Sequence, residues 1–183
     1  MHPTDPSPPA NVDIAPERSA DAPAILALHE AAFGPGRFAR AAERVREMGA
    51  RHTDPEENGT GEGHDRGLSF TAMRAGALIG SVRMTPIAIG GVRGYLLGPL
   101  AVRPADKHRG HGGALIARAH RAAGQRGSRY TLLVGDRPYY ARHGFAAVHG
   151  PIMPGPVDPQ RLLVRWNGEP TTLAGLVRHA GWE

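Results

Sequence analysis

The 183-residue sequence predicts an α/β (α+β) fold: a mixed, largely antiparallel central sheet of six to seven strands flanked by about four helices. Three observations carry this expectation. Strand-like stretches are separated by the short turns Ala75-Gly76 and Gly90-Gly91, helical stretches repeat their apolar residues at spacings of three and four, and a strand runs through a glycine-rich turn into a helix near the middle of the chain.

Met1 to Ala10 holds four prolines and almost nothing to bury, so it reads as a disordered tail ahead of one domain spanning 11–183. Asn11 to Pro16 reads as a first strand. Asp21 to Phe33 follows as an amphipathic helix with Ser19 or Asp21 as N-cap and Ile25, Leu26, Leu28 and Phe33 as its buried positions. Gly34-Pro35-Gly36 ends it, and a second helix is expected over Arg37 to Met48 with Phe38, Ala41, Val45 and Met48 on one side. Gly49 to Gly67 is polar and aperiodic and reads as a mobile loop, in which His52, His64 and Asp65 are expected to be solvated, the alternative being that they reach a binding site. Leu68 to Arg74, Ala77 to Ile89 and Gly94 to Val102 form an antiparallel meander. Gly110 to Gly127 is helical, and Tyr130 to Val134, without an internal charge, reads as a central strand covered on both faces. A short helix from Arg137 to His143 and strands at Phe145 to Val148 and Leu162 to Trp166 complete the sheet.

Composition narrows the function. The absence of cysteine removes thiolate nucleophiles, disulfides and thiolate metal sites, and no apolar run reaches the roughly 18 residues of a membrane span. A cytoplasmic protein without membrane association is the expectation. Charge is uneven: residues 1–90 carry 9 arginines against 12 acids, residues 91–183 carry 13 basic groups against 5 acids, and Lys107 is the only lysine. An anionic ligand is therefore expected in the C-terminal half. Nucleic acid fits poorly, because only ten aromatics exist in the chain and the arginines lack interleaved exposed ones. The histidines are scattered without metal-ligand spacing, so no metal is expected.

The chemistry concentrates after Gly98. A strand (Leu100, Ala101, Val102) stops at Arg103-Pro104, a basic turn follows (Lys107, His108, Arg109), and Gly110, His111, Gly112, Gly113 and Ala114 open a helix. A helix N-terminus exposes unpaired N–H groups and roughly half a positive charge, and glycine lets a phosphate approach the backbone. The order therefore builds a pyrophosphate cradle, unless the turn needs glycine for its geometry alone. It is neither a Walker loop, which would need Lys-Ser/Thr after the last glycine, nor a dinucleotide fingerprint, which would need glycine where Leu115 stands.

Lys107-His108-Arg109-Gly110-His111-Gly112, following Leu-Ala-Val-Arg-Pro, resembles the [Gln/Arg]-x-x-Gly-x-[Gly/Ala] signature of the GNAT N-acetyltransferases, with lysine at the first position in place of Gln or Arg. Tyr139-Tyr140-Ala141-Arg142-His143-Gly144-Phe145 resembles that family's Tyr-x-x-x-Gly-Phe element, and the passage from Val134 to Tyr140 together with Pro154 to Val157 is similar to the YhbS-type members. The resemblance implies the GNAT fold and acetyl-CoA as co-substrate. Pantetheine would pair with the backbone of Leu100 to Val102, and the diphosphate would lie on the N–H groups of Arg109 to Ala114 with Lys107, His108 and Arg109 adding attraction. Tyr140 would be the general acid, Tyr139 a packed aromatic, and an amine the acceptor. The strand Tyr95 to Pro99 lacks the glutamate base of many members, which implies a water chain with Glu30 or a histidine at its outer end. A non-catalytic acyl-CoA-binding module is the alternative, and a homodimer is left open.

Overall fold

The computed structural model describes residues 11–34, 41–50 and 63–180. The tail reading, Phe38 and His52 lie outside them. The elements are β1 (Asp13–Pro16), α1 (Ala22–Phe33), α2 (Ala41–Ala50), β2 (Phe70–Arg74), β3 (Ala77–Ile89), β4 (Val92–Val102), α3 (His111–Gln125), β5 (Tyr130–Val134), α4 (Arg137–Ala141), β6 (Ala146–Ala147), β7 (Pro151–Ile152), β8 (Leu162–Trp166), β9 (Gly175–Leu176) and β10 (Arg178–His179). The main sheet has the order β1-β2-β3-β4-β5-β8-β6, with β10 added to β3, and all its pairings are antiparallel except β4 with β5. That makes eight strands among the described residues, one beyond the sequence expectation. The extra strand is β10, too short at two residues to show alternation. β7 and β9 form a separate parallel pair.

Side-chain alternation along the strands divides the core between the two faces of the sheet. Tyr95, Leu97, Leu133 and Leu163 pack with Leu115, Ile116 and Ala119 of α3, whereas Leu96, Leu132, Leu162 and Val164 pack on the other side with Val45 of α2. Tyr130, Leu132 and Leu133 are each at most 1% exposed, so β5 is covered on both faces, as a chargeless strand should be.

The first helix departs from its predicted face. Ile25 and Leu28 are buried, but Leu26 is 49% exposed, and His29, four residues after Ile25, takes the inward position with Nε2 2.9 Å from Ser81 Oγ. A 100° step per residue turns Leu26 off the face that Ile25 and His29 share. Asp21 precedes α1 without capping it. Its carboxylate instead accepts from the Arg18 backbone N–H at 2.9 Å and from the Arg18 guanidinium. The second helix is described over Ala41–Ala50, with Val45 fully buried and Met48 38% exposed, and its expected first turn from Arg37 lies outside the described residues.

His64 and Asp65 are not solvated loop residues. His64 is buried, its Nε2 3.2 Å from Glu17 Oε1, and the same carboxylate takes two hydrogen bonds from Arg83, at 2.8 and 3.2 Å. Burial pushes the Glu17 carboxyl up, but the His64 and Arg83 hydrogen bonds and charges outweigh it and hold the group at about 2. Asp65 donates its backbone N–H to the Met84 carbonyl and accepts from the Tyr95 hydroxyl at 3.2 Å. A buried carboxylate needs cationic partners, and that requirement ties the 63–65 segment onto β1 and β3.

Candidate active site

β4 lies beside β5 at two registers, Tyr95 with Thr131 and Leu96 with Leu132. Immediately after them, Gly98 and Pro99 bulge opposite the single residue Arg83, because Leu97 pairs with Met84 and Leu100 with Val82. Arg46 of α2 reaches the bulge and donates to the Gly98 carbonyl at 3.0 Å. The two strands are thus unpaired where β4 continues toward α3. A cleft of about 600 Å³ occupies that place, within the roughly 300–1,000 Å³ range of small-molecule sites.

Leu100, Val102, Lys107, His108, Gly110, His111, Gly112, Gly113 and Tyr140 line the cleft, joined by Asp106, Tyr139, Arg142 and His143. Three residues named from the signature stand off its wall. Ala101 faces the opposite side of β4 by alternation, Arg109 is exposed, and Ala114 is 4% exposed with its N–H already donated to the Gly110 carbonyl at 3.0 Å. That hydrogen bond is the first of α3, which leaves the N–H groups of His111, Gly112 and Gly113 at the positive end of a 15-residue helix. Gly110 precedes them at φ +83°, a left-handed conformation that glycine takes without strain.

Two of the glycines serve packing as well as access. A Cβ on Gly112 would stand 2.6 Å from the Tyr139 hydroxyl, and one on Gly113 would stand 2.8 Å from the His143 ring. The first turn of α3 is therefore bare because α4 lies against it. α4 is held in turn by Asp136, whose carboxylate accepts from the Tyr139 N–H at 3.3 Å, and by Pro138 inside the first turn.

Tyr140 lies in the cleft and packs edge-on against Tyr139 and Phe145, with centroids 4.9 and 5.9 Å away. Burial pushes its phenol up to about 12, with the neighbouring Tyr139 adding to the shift, so the hydroxyl keeps its proton at neutral pH. Burial likewise raises Tyr139, while burial and then Arg142 and Arg165 lower His143. Asp106, the acidic group in the cleft wall, is engaged by Arg103 at 2.6 Å and Arg74 at 2.5 Å. Among the described residues no group of three or more His, Asp or Glu gathers that could hold a metal ion, and no helix is long and apolar enough to cross a membrane.

The cleft fits an elongated ligand carrying phosphates. Its strand wall is apolar and its far end offers backbone N–H groups. His111 is 3% exposed, and neither ring nitrogen has a hydrogen-bond partner within the protein. A buried imidazole left in that state is costly, and a ligand with polar atoms would relieve it. Sequence reasoning did not name Arg142 and His143 as site residues, although both stand inside the Tyr139 to Phe145 motif, in the turn that follows α4.

No protein-family model matches the chain, and no curated protein sequence does. Solved structures do. A GNAT family acetyltransferase from Brucella melitensis, in complex with acetyl-CoA, is 27% identical with a TM-score of 0.66, covering 92% of this chain and 96% of its own. The GNAT family N-acetyltransferase YhbS from Escherichia coli, in complex with CoA, superposes with a TM-score of 0.71 at 23% identity over 98% of this chain and 94% of that one. The ribosomal-protein-S18-alanine N-acetyltransferase of Escherichia coli shares the fold at 16% identity, with a TM-score of 0.59 over 87% of this chain and 96% of its own. In its largely antiparallel sheet, the parted β4 and β5 and the glycine turn into α3, the chain is similar to solved GNAT-family N-acetyltransferases, YhbS among them.

Proposed function

We propose that the protein transfers the acetyl group of acetyl-CoA to a primary amine, borne by a small molecule or a protein. The observation that carries this reading is the convergence in one cleft of the α3 N–H groups, the unpaired stretch of β4 and the protonated Tyr140 hydroxyl. The donor supplies an activated acyl group on a thiol leaving group. Everything else is asked of the chain.

His111, Gly112 and Gly113 would hold the diphosphate through their N–H groups, with Lys107 adding charge at the same end. From there β4 runs back through Val102 and Leu100 to the Gly98–Pro99 bulge, so pantetheine laid along the strand brings its thioester toward the bulge. Tyr140 would then give its proton to the departing thiolate. A phenol held at about 12 is fully protonated before the step, so its proton is present when the thiolate departs.

No carboxylate stands on β4 between Tyr95 and Pro99, and Glu30 is exposed on α1. Deprotonation of the amine is therefore assigned to water. The test is thiol release from acetyl-CoA measured across a panel of primary amines, with acylated product identified by mass spectrometry. Amine-dependent release supports the reading. Tight acetyl-CoA binding without release onto any amine would make the chain an acyl-CoA-binding module instead.

A further inference from the structure

Beyond the α3 cradle, the cleft has a second concentration of positive charge that a diphosphate on the helix N-terminus does not use. Arg142 and His143 line the cleft from the turn that follows α4, and Arg165 of β8 stands behind them. Arg142 is held by its guanidinium over the Tyr139 ring, 5.2 Å from the centroid, and His143 stacks edge-on against the same ring at 5.1 Å. The Arg165 Nε is within 3.3 Å of where a Cβ on Gly144 would be, next to His143. Among the described residues no carboxylate pairs with any of the three. The Asp106 carboxylate in the same wall is taken by Arg103 and Arg74, so it does not neutralise them.

Like charges gathered on one wall without a counter-ion raise one another's free energy, and a bound anion removes that cost. The anion has to be compact and doubly charged to answer two cations and an imidazole, and it has to lie within reach of the α3 turn, because His143 packs on Gly113. A phosphate monoester has those properties. We infer that Arg142, with His143 and Arg165 behind it, forms a subsite for the 3′-phosphate on the ribose of the acyl donor, distinct from the cradle for its diphosphate. This rests on the proposed donor being acetyl-CoA. Tyr139 is then a positioning residue: its ring carries Arg142 while its hydroxyl lies over Gly112, so one side chain couples the two phosphate sites.

The test is calorimetric titration of the full chain with CoA and with 3′-dephospho-CoA, for the wild type, Arg142→Gln and Arg142→Lys. Arg142 is exposed at the end of α4, so neither variant disturbs the core. The expected result is that the wild type prefers CoA by about tenfold, the value of one charge-assisted contact to phosphate. Arg142→Gln should abolish that preference by weakening CoA alone, leaving dephospho-CoA affinity as it was, and Arg142→Lys should keep part of it. Equal affinity of the wild type for both ligands overturns the subsite. So does an equal loss for both ligands in Arg142→Gln, which would move Arg142 to the diphosphate. If neither ligand binds the wild type, the donor reading itself falls and the subsite with it, a result distinguishable from the first two.

Discussion

Burial pushes both Tyr140 and Glu17 up, and it is their partners that put the two side chains in opposite roles. Burial lifts the Tyr140 phenol to about 12, so its proton is retained across the neutral and mildly alkaline range. We expect the turnover rate to show no decline from loss of this proton up to roughly pH 10, which a pH–rate profile with a true acceptor checks. Tyr140→Phe keeps the ring that packs on Phe145 and removes the proton, so kcat should fall about a hundredfold while CoA affinity stays the same. Glu17 is the reverse case. Its folded pKa of about 2 lies below the ordinary 4.5, so its ion pairs stabilise the fold fully above about pH 4.5 and lose that contribution as the pH falls toward 2. The contribution is about 3 kcal/mol. Glu17→Gln should lower stability at pH 6 and flatten the acid limb, measured as urea unfolding midpoints between pH 6 and pH 3. The motif pointed to Tyr140 from the sequence because a signature fixes a residue type at a position. The Glu17–His64–Arg83 cluster gave no such signal: its members are 47 and 66 residues from Glu17 along the chain, and a histidine in a polar glycine-rich stretch looks solvated until the sheet brings a buried carboxylate to it.

At the scale of elements, α3 and α4 are interdependent. Gly112 admits the Tyr139 hydroxyl, so Gly112→Val should both displace α4 and crowd the N–H groups meant for phosphate. The two effects separate in a pair of variants. Gly112→Ala should lower the melting temperature, and adding Tyr139→Phe should recover much of that loss by removing the oxygen 2.6 Å from the new methyl, while CoA affinity stays reduced if backbone access is what the glycine serves. Differential scanning calorimetry and CoA titration on the wild type and these two variants check both halves. Elements with strong punctuation were legible in advance: β3, β5 and β8 begin and end where the sequence reading placed them, since glycine turns or uninterrupted apolar runs mark their limits. The exposed Leu26 and the buried His29 were not, because apolar character alone does not say which of two adjacent residues faces the sheet. That choice was made by Ser81, which offers His29 a buried hydrogen bond.

Across the whole molecule, the order of strands in the meander and the place of the cradle could be read from the residues themselves, whereas the parting of β4 from β5 was implied only by the family resemblance. The parting depends on the bulge at Gly98–Pro99 and on the single parallel pairing in the main sheet, neither of which has a local pattern. The same holds for the last strand. β3 is 13 residues long, but β2 covers one of its edges only from Ala77 to Val82. Past Val82 the Asp65 N–H takes the Met84 carbonyl at 2.8 Å, and the far end is closed by the Ala180 N–H on the Pro86 carbonyl at 3.0 Å and by Arg178 and His179 on Ala88 and Ile87. The two-residue β10 is therefore a guard against self-association: it occupies backbone donors and acceptors that would otherwise template a strand from another copy. A chain ending at Leu176 should keep its cradle and bind CoA, yet should form concentration-dependent oligomers visible by light scattering, and adding back a peptide spanning Val177 to Ala180 should return it to the size of the intact protein.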